Sequence, residues 1–187
     1  MSKTVLISIQ PYWVFLIIAK AMGWNIDKEK TVEVRKTFPK DEGWNEVAKI
    51  YCSKNKKSFA KIPKEYQPLM KPLLGKVIGE FVCDEIQTIH KDDFSAYGIY
   101  DCSDDDVIAS CMQEGLLWDY GQGKDLYFWH ISNLKIYDKP KELSEFRLYN
   151  VRAYYDEELK LPMPTHEITR PPQSWCYIED MEVRKYA

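Results

Sequence analysis

A mainly β member of the α+β class, a small and mostly antiparallel barrel with helices across its openings, is the fold this 187-residue chain predicts. Three observations lead there. Several segments are β-branched or alternate with period two, two helical segments interrupt them, and the regular helix and strand alternation of a doubly wound sheet is missing. No internal repeat or low-complexity stretch breaks the chain. The expectation is one domain over 1–187, with a lysine-rich insertion at about 54–76 and an acidic, helix-bearing segment at about 84–115.

Each element has its own signal. Thr4 to Ile9 is β-branched and apolar, and it stops at Gln10-Pro11, where proline opens a helix at its first turn because its missing N–H would be unpaired there anyway. The helix expected from Tyr12 to Met22 is apolar on nearly all sides at its start, so it belongs between other elements, its aromatics in the core. After a loop marked by Gly23 and Asn25, Thr31 to Arg35 alternates: Val32 and Val34 take a core face, Thr31, Glu33 and Arg35 the other. Val47 to Cys52 reads as a third strand and Gly75 to Ile86 as a fourth. Ser103 caps a helix whose first turn is Asp104-Asp105-Asp106, acids that the helix dipole favours, and which runs to about Gly115. Leu126 to Tyr137 alternates as one long strand, Lys139-Pro140-Lys141 forms a turn, and a last strand covers Ser174 to Ile178.

With 45% hydrophobic residues, 29% charged residues and a net charge of −3, the chain has the composition of a soluble globular protein. Folding at this length removes roughly 70% of the unfolded surface from water, enough for a core without staples. The near-neutral charge excludes a protein that coats duplex DNA by bulk electrostatics, which needs many uncompensated cations. Charge is nevertheless patterned: 54–76 carries seven lysines against Glu65, net +6, and 84–106 carries eight acids against Lys91, net −7. A solvated face is the plain meaning of such runs; a phosphate track for the first and a protein-docking face for the second are the functional ones.

Cys52, Cys83, Cys102, Cys111 and Cys176 form no C-x-x-C pair, which reads as reduced thiols in a cytoplasmic protein. His90, His130 and His166 do not cluster with them, and His166-Glu167 lacks the second histidine of H-E-x-x-H, so neither a metal nor a cofactor is expected. The N-terminus superficially imitates a secretory signal, but Gln10-Pro11 interrupts it and a lysine sits in the Ala19-Lys20-Ala21 triplet. The longest apolar run, Tyr12 to Ala19, is far short of the roughly 20 residues a membrane span needs.

The sharpest local feature is Lys28 to Lys36, where period two puts Glu33 and Arg35 on one side of a strand and a loop delivers Lys30 beside them. Facing solvent, such pairs contribute about 0.2–1 kcal/mol each and nothing else. Facing a cleft, Lys30, Glu33, Arg35 and the adjacent Lys36 become a recognition or acid–base set. Arginine offers a planar fork to phosphate, glutamate accepts from an exocyclic amine as from cytosine N4, and lysine supplies a mobile cation. Trp129 and Trp175 are the tryptophans able to stack a base, at about 1–3 kcal/mol each if exposed.

Leu6 to Pro11, Lys30 to Arg35, Gly75 to Phe81, Ile131 to Tyr137 and Pro171 to Trp175, in that order, resemble the ASCH domains of the PUA-like superfamily over most of the chain. The family hallmark G-x-K-x-x-x-x-R is met by Lys30 and Arg35, with Lys28 standing where the motif has glycine. The resemblance implies a β-barrel whose cleft binds RNA or modified nucleosides, with Ser8 lining it. It also implies an alternative activity: one bacterial branch hydrolyses N4-acetylcytidine with a lysine, a threonine three residues later and a glutamate, and another is a ribonuclease. Lys30 matches that lysine, and Glu33 occupies the threonine position, so Lys30 and Glu33 are the residues to which catalysis would fall.

Overall fold

The computed structural model describes residues 3–40, 44–91, 100–149 and 167–179. Eight strands among them form two sheets: a five-stranded sheet in the order β7-β4-β3-β1-β8 and a three-stranded sheet in the order β2-β6-β5. These are β1 (Lys3–Ile9), β2 (Val32–Arg35), β3 (Trp44–Cys52), β4 (Val77–Val82), β5 (Ile86–Ile89), β6 (Leu126–His130), β7 (Ser132–Lys141) and β8 (Trp175–Glu179). The helices are α1 (Pro11–Ile18), α2 (Lys56–Phe59), α3 (Gln67–Met70), α4 (Asp104–Ser110) and α5 (Glu114–Gly121). The α+β class is as expected. The pairing is antiparallel except between β1 and β3, which run parallel. Their hydrogen bonds leave two sheets, not one closed barrel, and this corrects the barrel expectation.

The reason lies in two segments that read as single strands. The stretch from Gly75 to Ile86 leaves the large sheet at Val82 and enters the small one at Ile86, and Leu126 to Tyr137 makes the reverse transfer at Ile131. Val82 pairs with Ser132 before the corner and Ile86 with Trp129 after it, so one bent ribbon serves both sheets, as in orthogonal packings where strands switch sheets. The corner is tied by His130 N donating to Glu85 O at 3.0 Å, by His130 Nδ1 and Asp84 Oδ1 at 2.6 Å, and by Ser132 Oγ donating to Val82 O at 2.9 Å. Gly79 permits the close approach of β4 to β7, since a Cβ there would lie 2.4 Å from Lys135 O.

The main core is aliphatic and aromatic: Val5, Ile7 and Ile9 of β1, the helix α1 from Val14 to Ile18, Ala48 and Ile50 of β3, and Phe81 of β4. α1 ends four residues earlier than expected, at Ile18, in turns that close on Gly23 at φ +69°. The helix expected from Ser103 to about Gly115 is two helices, because Cys111 adopts the left-handed conformation at φ 55° and stops α4. Its start is as expected, Ser103 Oγ accepting from Asp106 N and Asp106 Oδ2 accepting from Ser103 N. Lys139 to Lys141 continues β7 instead of turning.

The lysine-rich segment is built into the fold. Asn55 caps α2, Ser58 Oγ accepts from the otherwise orphaned Tyr12 N of α1 at 3.1 Å, and Ile62 and Met70 are buried in the main core. Its lysines 54, 56, 57, 61, 64 and 71 stay exposed. In the acidic segment, 92–99 lie outside the described residues. No helix among the described residues is long and apolar enough to cross a membrane.

On the large sheet, Lys49 of β3 pairs in register with Glu80 of β4. Lys49 Nζ donates to Glu80 Oε2 at 2.7 Å, and Tyr137 OH donates to the same oxygen at 2.6 Å.

Candidate functional site

β2 is the strand that was expected to have one core face and one charged face. Instead Glu33, Val34 and Arg35 are all buried, with Glu33 and Arg35 only 5% and 6% exposed. Lys30, just before the strand, is 2% exposed. The backbone sets this up: Lys30 N donates to Leu16 O of α1 at 3.2 Å, Thr31 N donates to Ala109 O of α4 at 3.0 Å, and Ile131 N donates to Thr31 O at 2.9 Å. With both neighbours of the loop fixed, the charged side of β2 turns toward α1 and the end of β1.

Lys30 Nζ donates to Ser110 O at 2.7 Å, a carbonyl of the last turn of α4 that has no partner within its helix and lies at the negative end of its dipole. The same ammonium lies 3.6 Å from Glu33 Oε2 and 5.1 Å from the centre of the Trp13 ring. Arg35 Nη2 donates to Ser8 O at 2.7 Å and makes a 2.9 Å ion pair with Glu33 Oε1. One carboxylate thus sits between two cations, leaving a net formal charge of +1 in a place largely removed from water. Burial pushes the Lys30 ammonium below its ordinary pKa, against the attraction of Glu33.

The three groups open on a cavity of about 330 Å³. Ser8, Trp13, Lys30, Glu33 and Arg35 line it together with Tyr120 of α5. Val34 of β2, Ser53 and Asn55 beyond β3, Met112, and Gln10, Gln173 and Ser174 complete the wall. Glu33 Oε2, Arg35 Nε and Ser53 Oγ, all buried atoms of cavity-lining residues, have no hydrogen-bond partner among the described residues. Leaving such a group without a hydrogen bond costs about 1–3 kcal/mol, more when charged; Glu33 Oε2 keeps the Lys30 ammonium at 3.6 Å as an ion pair. Burial also pushes the Tyr120 hydroxyl pKa up, keeping it a neutral donor.

The expected residues divide. Ser8, Lys30, Glu33 and Arg35 converge, Ser8 through its carbonyl. Lys36 does not line the cavity; its ammonium rests over the Tyr120 ring at 5.0 Å. Trp129 is corrected: it pairs with Glu33 across β2 and β6 but is 0% exposed and packed in the core, so it has no face to offer a base. Trp175 is half-buried, its Nε1 donating to Thr37 Oγ1 at 3.0 Å, and it packs on Trp129 at 6.2 Å. The aromatic walls come instead from Trp13 and Tyr120. Trp13 belongs to a helix whose aromatics are expected in the core, and the structure instead leaves it half-exposed near the helix start. Lys28 does not adopt positive φ, so the loop reaches Lys30 without the glycine conformation.

Among the described residues no group of three or more His, Cys, Asp or Glu side chains is arranged to hold a metal ion. No family model matches the sequence, and no curated protein matches it. Among solved structures, the chain is similar to the crystal structure of ASCH from Zymomonas mobilis, at 18% identity and a TM-score of 0.45 over 97% of this chain and 92% of that one. It is likewise similar to a mutant form of that protein, at 16% identity and a TM-score of 0.46 over 97% and 94%.

Proposed function

We propose that this chain is an ASCH-like module that binds a nucleobase, free or in RNA, in the cavity lined by Lys30, Glu33 and Arg35. The observation that carries the reading is the convergence of Glu33 with Lys30 and Arg35 on one cavity. Glu33 brings acceptor chemistry and Arg35 donor chemistry to that lining. An aminopyrimidine edge, with an exocyclic amine beside a ring acceptor, complements that pair. Trp13 and Tyr120 supply flat walls for the ring, and the net positive charge favours a phosphate nearby. The spacing of Lys30 and Arg35, shared with the ASCH hallmark, supports the same reading.

The test is binding of cytidine, cytidine monophosphate and short single-stranded RNA at low salt. Arg35→Ala removes the fork and should weaken binding at least tenfold, about 1.4 kcal/mol. Binding that is absent, or indifferent to Arg35→Ala and Lys30→Met, refutes the reading.

One observation favours hydrolysis as a second reading. Lys30 Nζ lies 3.6 Å from Glu33 Oε2 at the cavity, and burial makes the ammonium give up its proton more readily than a free lysine, so the pair can exchange a proton with an acyl group on an exocyclic nitrogen. Release of acetate from N4-acetylcytidine, lost in Lys30→Met, supports it; no turnover by the intact chain ends it.

A further inference from the structure

The cavity does not end at its aromatic walls. A second concavity of about 570 Å³ adjoins it, and the two share Trp13, Met112 and Tyr120. This groove lies between α1 and α5, where Tyr12 and Leu116 add flat and apolar surface. Lys28 and Lys61 stand along it, both exposed, and among the described residues neither forms an ion pair with a carboxylate. Asp119 is the opposing charge, so the groove carries a formal net charge of +1. Lys61 comes from the segment with net charge +6.

We infer that the groove is a subsite for the nucleotide next to the one in the cavity, so that the ligand is a single strand of two or more nucleotides, with Lys28 and Lys61 meeting its backbone. The inference rests on the nucleobase reading of the cavity and extends it. A cavity of about 330 Å³ has room for one nucleoside, whereas the adjoining groove has no role for a free nucleoside to fill. A strand needs what the groove holds: cations for successive phosphates beside aromatic surface for a neighbouring base. The two regions also differ in kind. The cavity is lined by the largely buried charged residues Lys30, Glu33 and Arg35, suited to selecting an edge, and the groove presents exposed lysines that tolerate any sequence.

The experiment is a titration of the full chain with cytidine monophosphate and with oligocytidylates of two, four and eight nucleotides, followed by tryptophan fluorescence. Affinity should rise roughly tenfold from the monomer to the tetramer and then level off, as the neighbouring sites fill. Lys28→Ala with Lys61→Ala should weaken the tetramer roughly three- to tenfold and leave the monomer unchanged. The dependence of log K on log salt for the tetramer should flatten by about 0.7 for each phosphate contact removed. Both lysines are exposed, so the fold should tolerate the change. A monomer that binds as tightly as the tetramer, or a tetramer indifferent to the double variant, overturns the subsite while leaving the cavity reading intact. Monomer binding unaffected by Arg35→Ala overturns the cavity reading, and the subsite with it.

Discussion

Lys49 with Glu80 and Lys30 with Glu33 are both lysine–glutamate pairs withdrawn from water, yet they are completed differently. Glu80 Oε2 receives hydrogen bonds from Lys49 and Tyr137, and Lys135 approaches the other oxygen at 3.9 Å. Burial alone would push the Glu80 carboxyl up, but the hydrogen bonds from Lys49 and Tyr137 outweigh it and hold the carboxyl below its usual range. At the second pair, Glu33 Oε2 and Arg35 Nε have no hydrogen-bond partner among the described residues, and Lys30 is pulled down in pKa by burial. A satisfied buried pair serves the fold. The second pair is held more loosely, since Glu33 Oε2 meets the Lys30 ammonium only as an ion pair at 3.6 Å.

The same substitution at both lysines separates the two roles. Lys49→Met should cost about 2 kcal/mol in denaturant unfolding, because it leaves Glu80 short of its principal donor, and should leave cytidine affinity unchanged. Lys30→Met removes the 2.7 Å hydrogen bond to Ser110 O and one of the two cations beside Glu33, so it should cost about 1–3 kcal/mol as well, and should in addition abolish binding. Cytidine affinity lost in Lys49→Met, or kept in Lys30→Met, would break the contrast.

A smaller effect is expected in the pH dependence. Glu80 has a folded pKa below the unfolded value of 4.5, so its stabilisation is present above that pH and lost as pH falls through the folded pKa. Lys30 has a folded pKa below the unfolded value of 10.5. Between those two values the unfolded chain binds more protons, and stability rises with pH. Unfolding free energies measured across both windows should show an acid slope that Lys49→Met reduces and an alkaline slope that Lys30→Met removes.

The smallest effect concerns thiols. Burial pushes Cys52 and Cys83 up to about 12, so alkylation monitored by mass spectrometry at pH 8 should spare both while modifying the half-exposed Cys111 first. Cys111 stands on the groove beside Met112, and bound oligocytidylate should slow its modification, whereas Cys102 should be indifferent.

Much of this was readable from the residues. β1 followed by Pro11 and the cap at Ser103 rest on local chemistry that tertiary context left in place, whereas the convergence of Lys30, Glu33 and Arg35, legible only as a shared strand side, needed the long-range bonds to Leu16 and Ala109. The misreadings share a cause. Period two marks a strand but not the sheet it belongs to, so Cys83-Asp84-Glu85 and Ile131, with neither glycine nor proline, gave no sign of the two corners. Nor does the composition of Lys54 to Lys76 show that Ser58, Ile62 and Met70 anchor it. Tryptophan identity likewise could not separate Trp129, covered on every side, from Trp13, which shows part of its ring to the cavity.

Arg35 belongs to the small sheet, and the carbonyl it grips, Ser8 O, belongs to the large one. That single guanidinium therefore works as a rivet across the seam between layers. A guest that engages another of its nitrogens would tighten the joint from within, and amide protons along the end of β1 should exchange more slowly in the presence of such a guest, at a distance from any atom it touches.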